Sequence, residues 1–449
     1  MTKIYDNTLS FNLTRKYTIF CFKRFYSEFI VVGRENIPKS GAIIFAPNHI
    51  NALMDALAIH AIVPSKLPVI FLARADIFKK KKVADFLHFA KIMPAFRMRD
   101  GMENLGKNNE IFDQCVDVLK HNAAMGIMPE GNQGEQRKLR PIVKGIFRIA
   151  FAAQQLNGLK DGIKIIPIGI DLGDYVKAGK HIIISIGKPI EVSEYMESFA
   201  ENPVNATNEI RNKLRDDLSK LSLDLATENY YECFEIAIEV ANESVLIKMN
   251  LPDKTVYRFV ARQKIARRLI DIEKKEPEKI KKLDTLCAEY QKTIDRLKLK
   301  SWVFDRGNFK KLYLVTDGIV LVLTLPIFIC GLFLNFLPFF APVYIRKNIV
   351  KAKDIGFFSS MHFVLGMITF PVFYLVQTFL FYCLISSVWW IVLLFLSSQY
   401  PLGKWALKWY KYFVKLRGKI RFSKLQSSKS TYLQRAKKLR NEITNLIVK

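Results

Sequence analysis

The sequence predicts an α/β domain with a mostly parallel central sheet flanked by helices, then a helical middle region and a C-terminal hydrophobic membrane region. Three observations lead there. Short apolar runs alternate with helical patterns over residues 1–200, residues 201–311 are polar with helical periodicity, and residues 312–398 hold two long apolar blocks. A basic, aromatic tail over residues 399–449 completes the organisation.

The strand candidates are "FIVVG", "GAIIFAP", "PVIFLA", "GIMPEG", "IKIIPIGI" and "HIIISIG", each bounded by Gly, Pro or Asn. Several are apolar throughout, as suits strands buried on both faces. Helical stretches such as "NEIFDQCVDVLKHN" and "GIFRIAFAAQQL" lie between them. Alternation of this kind reads as helices layered on a sheet.

In the middle region, Ile280, Leu283, Leu286, Cys287, Tyr290, Ile294 and Leu297 fall on one helical face. A surface-packed helix or helical hairpin is the reading preferred over a coiled-coil partner site. The apolar blocks, Leu312–Ile345 and Ile355–Ser398, each exceed the ~20 residues that one span requires. Pro326, Pro338, Pro342 and Pro371 are expected at kinks or reversals. Basic residues precede the first block (Arg306, Lys310, Lys311), separate the two (Arg346, Lys347, Lys351, Lys353) and follow the second. If positive charge stays cytoplasmic, each block goes in and comes back. The expectation is therefore two hydrophobic hairpins, spanning or re-entrant, with the α/β domain on the cytoplasmic side. A pair of large core helices is the alternative, disfavoured by the length of the blocks and their lack of charge.

From Lys404 to Lys449 the tail carries fourteen Lys and Arg against the single acid Glu442, with Trp405, Trp409, Tyr410, Tyr412 and Phe413 at its start. Such a stretch beside a membrane block fits an interfacial anchor on anionic lipid. Binding to nucleic acid ranks below it and is not expected, because no nucleic-acid motif is present. The whole chain has 69 Lys and Arg against 41 Asp and Glu, a formal net charge of +28, which calls for an anionic partner. Its six cysteines are too scattered for a zinc knuckle, a CxxC pair or a disulfide scaffold, and are expected to be buried thiols in a reducing compartment. The opening "MTKIYDNTLSFNLTRKY" is polar and the run after it too short for a signal-peptide core.

Four stretches carry residues suited to chemistry. In "FAPNHINALMDALAIH", His49 follows a strand end and Asp55 sits six residues on. Catalytic groups of α/β sheets collect at such ends. Six steps of 100° leave two side chains 120° apart on a helix. The pair meets only if His49 lies in the turn and Asp55 in the first helical turn. Asp55 would then fix the imidazole tautomer and leave the other ring nitrogen as a base. No Ser or Cys nucleophile stands beside the pair, which favours direct attack by an activated hydroxyl. The competing reading is a cap and a surface residue.

In "FRMRDG", Arg97 and Arg99 are an i, i+2 pair that would grip one phosphate from an extended segment; a solvated basic loop is the alternative. In "GIMPEGNQGEQRKLRPIVKGIFRIA", Pro129-Glu130-Gly131 ends an apolar run, Gly131 and Gly134 allow close backbone approach, and Lys144 opens a helix where an anion is welcome. Glu130 would bind an acceptor hydroxyl or pair with an Arg. Pro167 lies inside the apolar run "IIPIGI".

In this order and spacing, Asn48-His49 with Asp55, then Arg97 and Arg99, then Pro129-Glu130-Gly131, then Pro167, resemble the phospholipid/glycerol acyltransferase (PlsC-like) family. "VVGRENIPKSGAIIFAPNH" is similar to the family's opening strand and turn, and the resemblance covers roughly residues 28–190. Five residues separate His49 from Asp55 where the family usually has four, as in some glycerol- and dihydroxyacetone-phosphate acyltransferases. Asn132-Gln133 follow Gly131 where the family often has Thr and Ser.

The resemblance implies an α/β acyltransferase domain that moves an acyl group from acyl-CoA or acyl carrier protein to a hydroxyl of glycerol-3-phosphate or 1-acylglycerol-3-phosphate. It implies His49 as base, Asp55 as its orienter, Arg97, Arg99 and Lys144 on the acceptor phosphate, and Glu130 and Gly131 orienting the glycerol. No metal or organic cofactor is required. Dihydroxyacetone phosphate or another lysolipid is the alternative acceptor. A non-catalytic membrane scaffold is the alternative of another class, and the intact His49 and Asp55 argue against it.

Overall fold

The computed structural model describes residues 3–39, 42–95, 107–156, 162–305, 307, 309–351 and 355–448. The chain forms two compact units, Met1–Asp224 with Lys353–Ser360, and Leu225–Ala352 with Met361–Lys449.

The first unit is built on eight strands: β1 (Glu28–Val32), β2 (Ala42–Pro47), β3 (Val69–Arg74), β4 (Ile92–Ala95), β5 (Ala124–Gly126), β6 (Ile163–Leu172), β7 (His181–Ile186) and β8 (Ile190–Glu191). Their order is β1-β7-β6-β2-β5-β3-β4, with β8 on β6. Every pairing is parallel except those of β6 with β7 and β8. The sheet is thus mostly parallel, as expected, and all six residues of β2 are buried. Two strands escaped the sequence reading. β4 is an edge strand, where Pro94 is tolerated, and β8 has two residues. The run "GIMPEG" is mostly loop: β5 ends at Gly126, and Ile127 N donates to Phe45 O at 2.9 Å.

Pro167 sits opposite Ala46 in β6, where pairing with β8 has ended and pairing with β7 begins at Ile168. Its missing donor therefore leaves no ladder bond broken, while its carbonyl accepts Gly187 N at 2.9 Å.

Among the described residues, seven α-helices flank this sheet: α1 (Leu9–Phe25), α2 (Ala52–Ile62), α3 (Lys81–Phe89), α4 (Lys107–Lys120), α5 (Gly145–Gln154), α6 (Met196–Glu201) and α7 (Pro203–Leu221). Ile44, Met125, Phe147, Phe151, Ile165 and Leu214 belong to its core. Asn202 caps α7 by accepting from Val204 N and Asn205 N, with Pro203 in the first turn. The unit therefore runs past the expected boundary at residue 200, to Asp224.

Helix α2 is apolar nearly all round and mostly buried, so the carbonyls at its carboxyl end have no water to bind. Arg15 of α1 takes that place. Its guanidinium donates to the carbonyls of His60, Val63, Pro64, Ser65 and Leu67 at 2.9–3.3 Å. A cation there also suits the helix dipole.

The second unit is helical: α8 (Tyr231–Lys248), α9 (Thr255–Lys275), α10 (Pro277–Leu297), α11 (Trp302–Asp305), α12 (Lys311–Leu323), α13 (Leu325–Tyr344), α14 (Phe358–Leu384, its first residues within the first unit), α15 (Trp389–Ser427) and α16 (Thr431–Val448). All seven residues of the expected α10 face are buried. That face packs on α16, whose Leu433, Ala436, Leu439, Ile443 and Ile447 are buried. Residues 399–449 are therefore not a separate tail, because α15 crosses residue 398 unbroken and α16 joins the helical middle region.

Two helical stretches, Leu325–Val350 and Ile355–Leu384, are long and apolar enough to cross a membrane. α12 has thirteen residues. At ~1.5 Å per residue that is about 20 Å, short of the ~30 Å hydrocarbon core. The helices break at Thr324 and between Leu384 and Trp389. Pro338, Pro342 and Pro371 lie inside helices, so none of these three marks a reversal, and Pro326 stands in the first turn of α13, directly after the break at Thr324. A polar network joins α13, α14 and α15. Asn335 accepts from Tyr374 Oη at 2.5 Å and donates to Gln399 O at 3.1 Å, and Gln399 donates to Thr378 Oγ1 at 2.8 Å. Cys115, Cys233 and Cys287 are buried thiols, but Cys330 and Cys383 are exposed on the apolar helices, which corrects the expectation for all six.

Candidate active site

β2 and β5 are adjacent and parallel, so the loops that follow them leave the same edge of the sheet. One loop carries His49 and the other Glu130. The topology thereby joins residues far apart in sequence at the carboxyl ends of the strands.

Five successive amides of the first loop each find a partner. Asn48 N donates to Ile168 O at 3.1 Å, and His49 N to Glu130 Oε1 at 2.8 Å. Ile50 N and Asn51 N donate to Asp55 Oδ2 at 2.9 and 2.7 Å, and Ala52 N to Gln133 Oε1 at 3.1 Å. Ala52 adopts φ +32°, a conformation that costs energy and persists because its surroundings hold it. The Asn48 side chain bridges to β6, accepting Ile170 N at 2.6 Å and donating to Ile170 O at 3.2 Å.

Asp55 lies in the first turn of α2, and its side chain is fully buried. Its Oδ2 lies 2.9 Å from His49 Nδ1. A carboxylate accepts, so Nδ1 carries the proton. The His49 ring is 16% exposed, and its Nε2 has no hydrogen bond among the described residues. The turn-plus-first-helical-turn geometry that the spacing demands is the one observed.

Glu130 accepts on both oxygens: Oε1 from His49 N, and Oε2 from Arg140 N at 3.0 Å and Arg140 Nε at 3.4 Å. Burial raises its carboxyl above the usual range, against the pull of these donors and of the Arg140 charge. Gly131 follows at φ +66°, a region where a side chain is strained. A Cβ there would meet Val143 only at ordinary contact distance, so the glycine serves the turn rather than a close approach. Pro129 O accepts Val143 N at 2.8 Å, closing the loop.

Other expected residues lie apart from this cluster. Lys144 is the residue preceding α5 and is exposed; its carbonyl accepts Phe147 N and Arg148 N at 3.2 Å, while its ammonium has no hydrogen bond or ion pair among the described residues. Pro167 neighbours Ala46, one strand from the loop. Arg97 and Arg99 lie outside the described residues. No group of three or more His, Cys, Asp or Glu among the described residues is arranged to hold a metal ion.

Asn51, Gln133 and Arg140 were missed from sequence. Gln133 departs from the resembled motif, and that departure was the available signal: its side chain holds Ala52. Arg140 is the arginine that pairs with Glu130, one of the two partners expected for that carboxylate, though no particular arginine was picked out.

Residues 28–171 match the family model described as Acyltransferase. This domain belongs to the acyltransferase family. The match spans β1 through most of β6 and includes His49, Asp55 and Glu130 of the acyltransferase domain. Glycerol-3-phosphate O-acyltransferase 2 of Saccharomyces cerevisiae is 22% identical over 295 residues, covering 61% of this chain and 38% of that protein. A chloroplastic 1-acyl-sn-glycerol-3-phosphate acyltransferase of Brassica napus is 22% identical over 194 residues, covering 43% of this chain and 51% of that protein. The chain thus spans about half the length of these relatives or less. Among solved structures, PlsC of Thermotoga maritima, an LPA acyltransferase, is 19% identical with a TM-score of 0.34, covering 46% of this chain and 76% of the other.

Proposed function

We propose that this chain is a membrane-bound O-acyltransferase of phospholipid synthesis, moving a fatty acyl group from acyl-CoA or acyl carrier protein to glycerol-3-phosphate or 1-acylglycerol-3-phosphate. The observation that carries the reading is the 2.9 Å His49–Asp55 pair, set on a loop whose five amides are all held. The family of the domain gives the reaction class. The two curated relatives are named for these two acceptors.

His49 Nε2 takes the proton of the acceptor hydroxyl as the oxygen bonds to the thioester carbonyl carbon. Asp55 stabilises the imidazolium that forms, without taking its proton. Collapse of the tetrahedral species breaks the carbon–sulfur bond, and the departing thiolate recovers the proton from His49. Glu130 acts as the brace of the His49 backbone and Gly131 as its turn, in place of the acceptor contact expected of them. The acceptor phosphate falls to Arg97 and Arg99, with Lys144 as the next candidate.

Membrane attachment is supported by the two membrane-length helices and by surface chemistry. No residue of α3 is buried; Val83 and Phe86 are exposed on it, with Ile77 and Lys79–Lys82 just before and at its start. On α15, Phe413, Ile420, Arg417, Arg421 and Lys424 line one groove. Apolar and basic side chains together suit an anionic lipid surface. The basic flanks of the apolar stretches support a cytoplasmic side for the domain.

The decisive experiment is acyl transfer by the purified protein from acyl-CoA and from acyl carrier protein to a panel of glycerol-3-phosphate, dihydroxyacetone phosphate, 1-acylglycerol-3-phosphate and other lysolipids. Transfer to a glycerol-phosphate acceptor that depends on His49 is expected. No transfer to any acceptor overturns the proposal.

A further inference from the structure

Asn51 separates His49 from Asp55 in the loop and is completely buried. Its backbone N–H is one of the donors to the Asp55 carboxylate, at 2.7 Å. Its side chain amide donates to Tyr175 O at 2.9 Å. Its side chain oxygen accepts from Ser359 Oγ at 2.8 Å and from Ser360 Oγ at 3.4 Å. The serines, only 3% and 5% exposed, stand 308 and 309 residues further along the chain. They occupy the start of the second membrane-length stretch, in the short segment that belongs to the first unit.

Serines at a helix start commonly bond to backbone amides nearby. These two hydroxyls instead serve one buried carboxamide in the catalytic loop. Without them the Asn51 oxygen is a buried acceptor with no donor, and such a group is costly to leave unmatched. The loop contains no spare support, since each neighbouring amide is already committed.

We infer that Ser359 and Ser360 are positioning residues for the His49–Asp55 pair, acting through Asn51, so that the beginning of a membrane-length helix is part of the frame of the active site. The inference rests on the acyl-transfer reading for its kinetic consequence but not for its structural one. Asn51 holds Asp55 from the backbone and is held from the side chain. Loosening the side chain lets the backbone donor, and with it the carboxylate, drift from the imidazole.

The test uses the full chain in detergent micelles, with Ser359→Ala/Ser360→Ala, Asn51→Ala and Ser359→Thr. Small misplacement of a catalytic group costs up to about a hundredfold. The double alanine variant should therefore lose about ten- to a hundredfold in kcat, with KM for acceptor and acyl-CoA within about twofold. Ser359→Thr, which keeps a hydroxyl, should retain most of the rate. Independently of any activity, hydrogen–deuterium exchange should rise in the peptide holding the Ile50 and Asn51 amides and stay unchanged in β6 and β7. Unchanged exchange in that peptide overturns the inference, as does a rise spread over the whole sheet or a double variant with wild-type kcat. If the wild type transfers acyl groups to no acceptor, the functional proposal fails, and the exchange measurement still decides the clamp.

Discussion

The Glu130 carboxylate accepts the backbone N–H of His49 at 2.8 Å across 81 residues of chain. This bond fixes where the imidazole stands without touching the imidazole itself. Glu130→Gln keeps an oxygen for His49 N but presents an amide donor to the Arg140 N–H. Leaving buried donors unmatched costs about 1–3 kcal/mol. The expected result is a lower Tm and a reduced kcat with acceptor KM nearly unchanged. A raised acceptor KM at wild-type kcat would show instead that Glu130 touches the acceptor.

His49→Ala should abolish transfer in a folded protein, since removing a general base costs on the order of 10²–10⁴ in rate. Asp55→Asn should also be severely impaired, because the single amide oxygen must serve Ile50 N, Asn51 N and His49 Nδ1 without the carboxylate charge that stabilises the imidazolium. Circular dichroism establishes folding, and turnover decides. A folded His49→Ala protein with wild-type turnover refutes the base assignment.

Arg97 and Arg99 are expected on the acceptor phosphate. Replacing the contacting one by Ala should raise acceptor KM about ten- to a hundredfold, from a charged hydrogen bond worth roughly 1.5–3 kcal/mol. KM for the thioester should move far less. Lys should recover only part, because it lacks the guanidinium fork. If the double variant keeps its acceptor KM, Lys144 is the residue to change next.

His60 gives the domain a pH dependence of its own. Burial, reinforced by the charges of Arg15 and Lys91, pushes its imidazole down to about 3. In the unfolded chain it titrates near ~6.5. Between these values the unfolded state binds a proton that the folded state refuses. The contribution of neutral His60 is thus complete above pH ~6.5 and shrinks as pH falls toward 3. His60→Leu should reduce the loss of stability between pH 7 and pH 5 by about 2 kcal/mol. Denaturant melts at the two pH values measure it; equal losses in both proteins would contradict the assignment.

If the apolar blocks form two hairpins, spanning or re-entrant, as proposed from the sequence, cysteine probes at Lys351 and Lys424 are labelled from the same, cytoplasmic side. Labelling of Lys351 only from the opposite side would mean that the Leu325–Val350 stretch crosses once, with α12 too short to make a second crossing, and would sink the two-hairpin proposal.

Much of the architecture was legible because burial leaves a local mark. The apolar runs of β2 and β6, the α10 face and the His49–Asp55 spacing are all patterns within a few residues. What was not legible depends on pairing across distance. Nothing local marks Asn51 as the receiver of two serine hydroxyls from another part of the chain, or Gln133 as the acceptor for Ala52. β4 was hidden by a proline that only an edge position tolerates. Of the two readings for prolines in apolar runs, kink or reversal, Pro338, Pro342 and Pro371 leave only the kink, because their helices continue through them. The continuity of α15 was hidden by a change in composition that is not a change in conformation.

The Arg15 guanidinium has a consequence for where this domain begins. The family likeness starts at residue 28, yet five carbonyls at the end of the helix that carries Asp55 are satisfied from residue 15, and Lys91 Nζ is bound by the carbonyls of Ile4 and Asp6. A fragment cut at the likeness would keep every catalytic side chain and lose the tether that anchors their helix. The smallest piece that looks like the enzyme is smaller than the smallest piece that holds itself in shape.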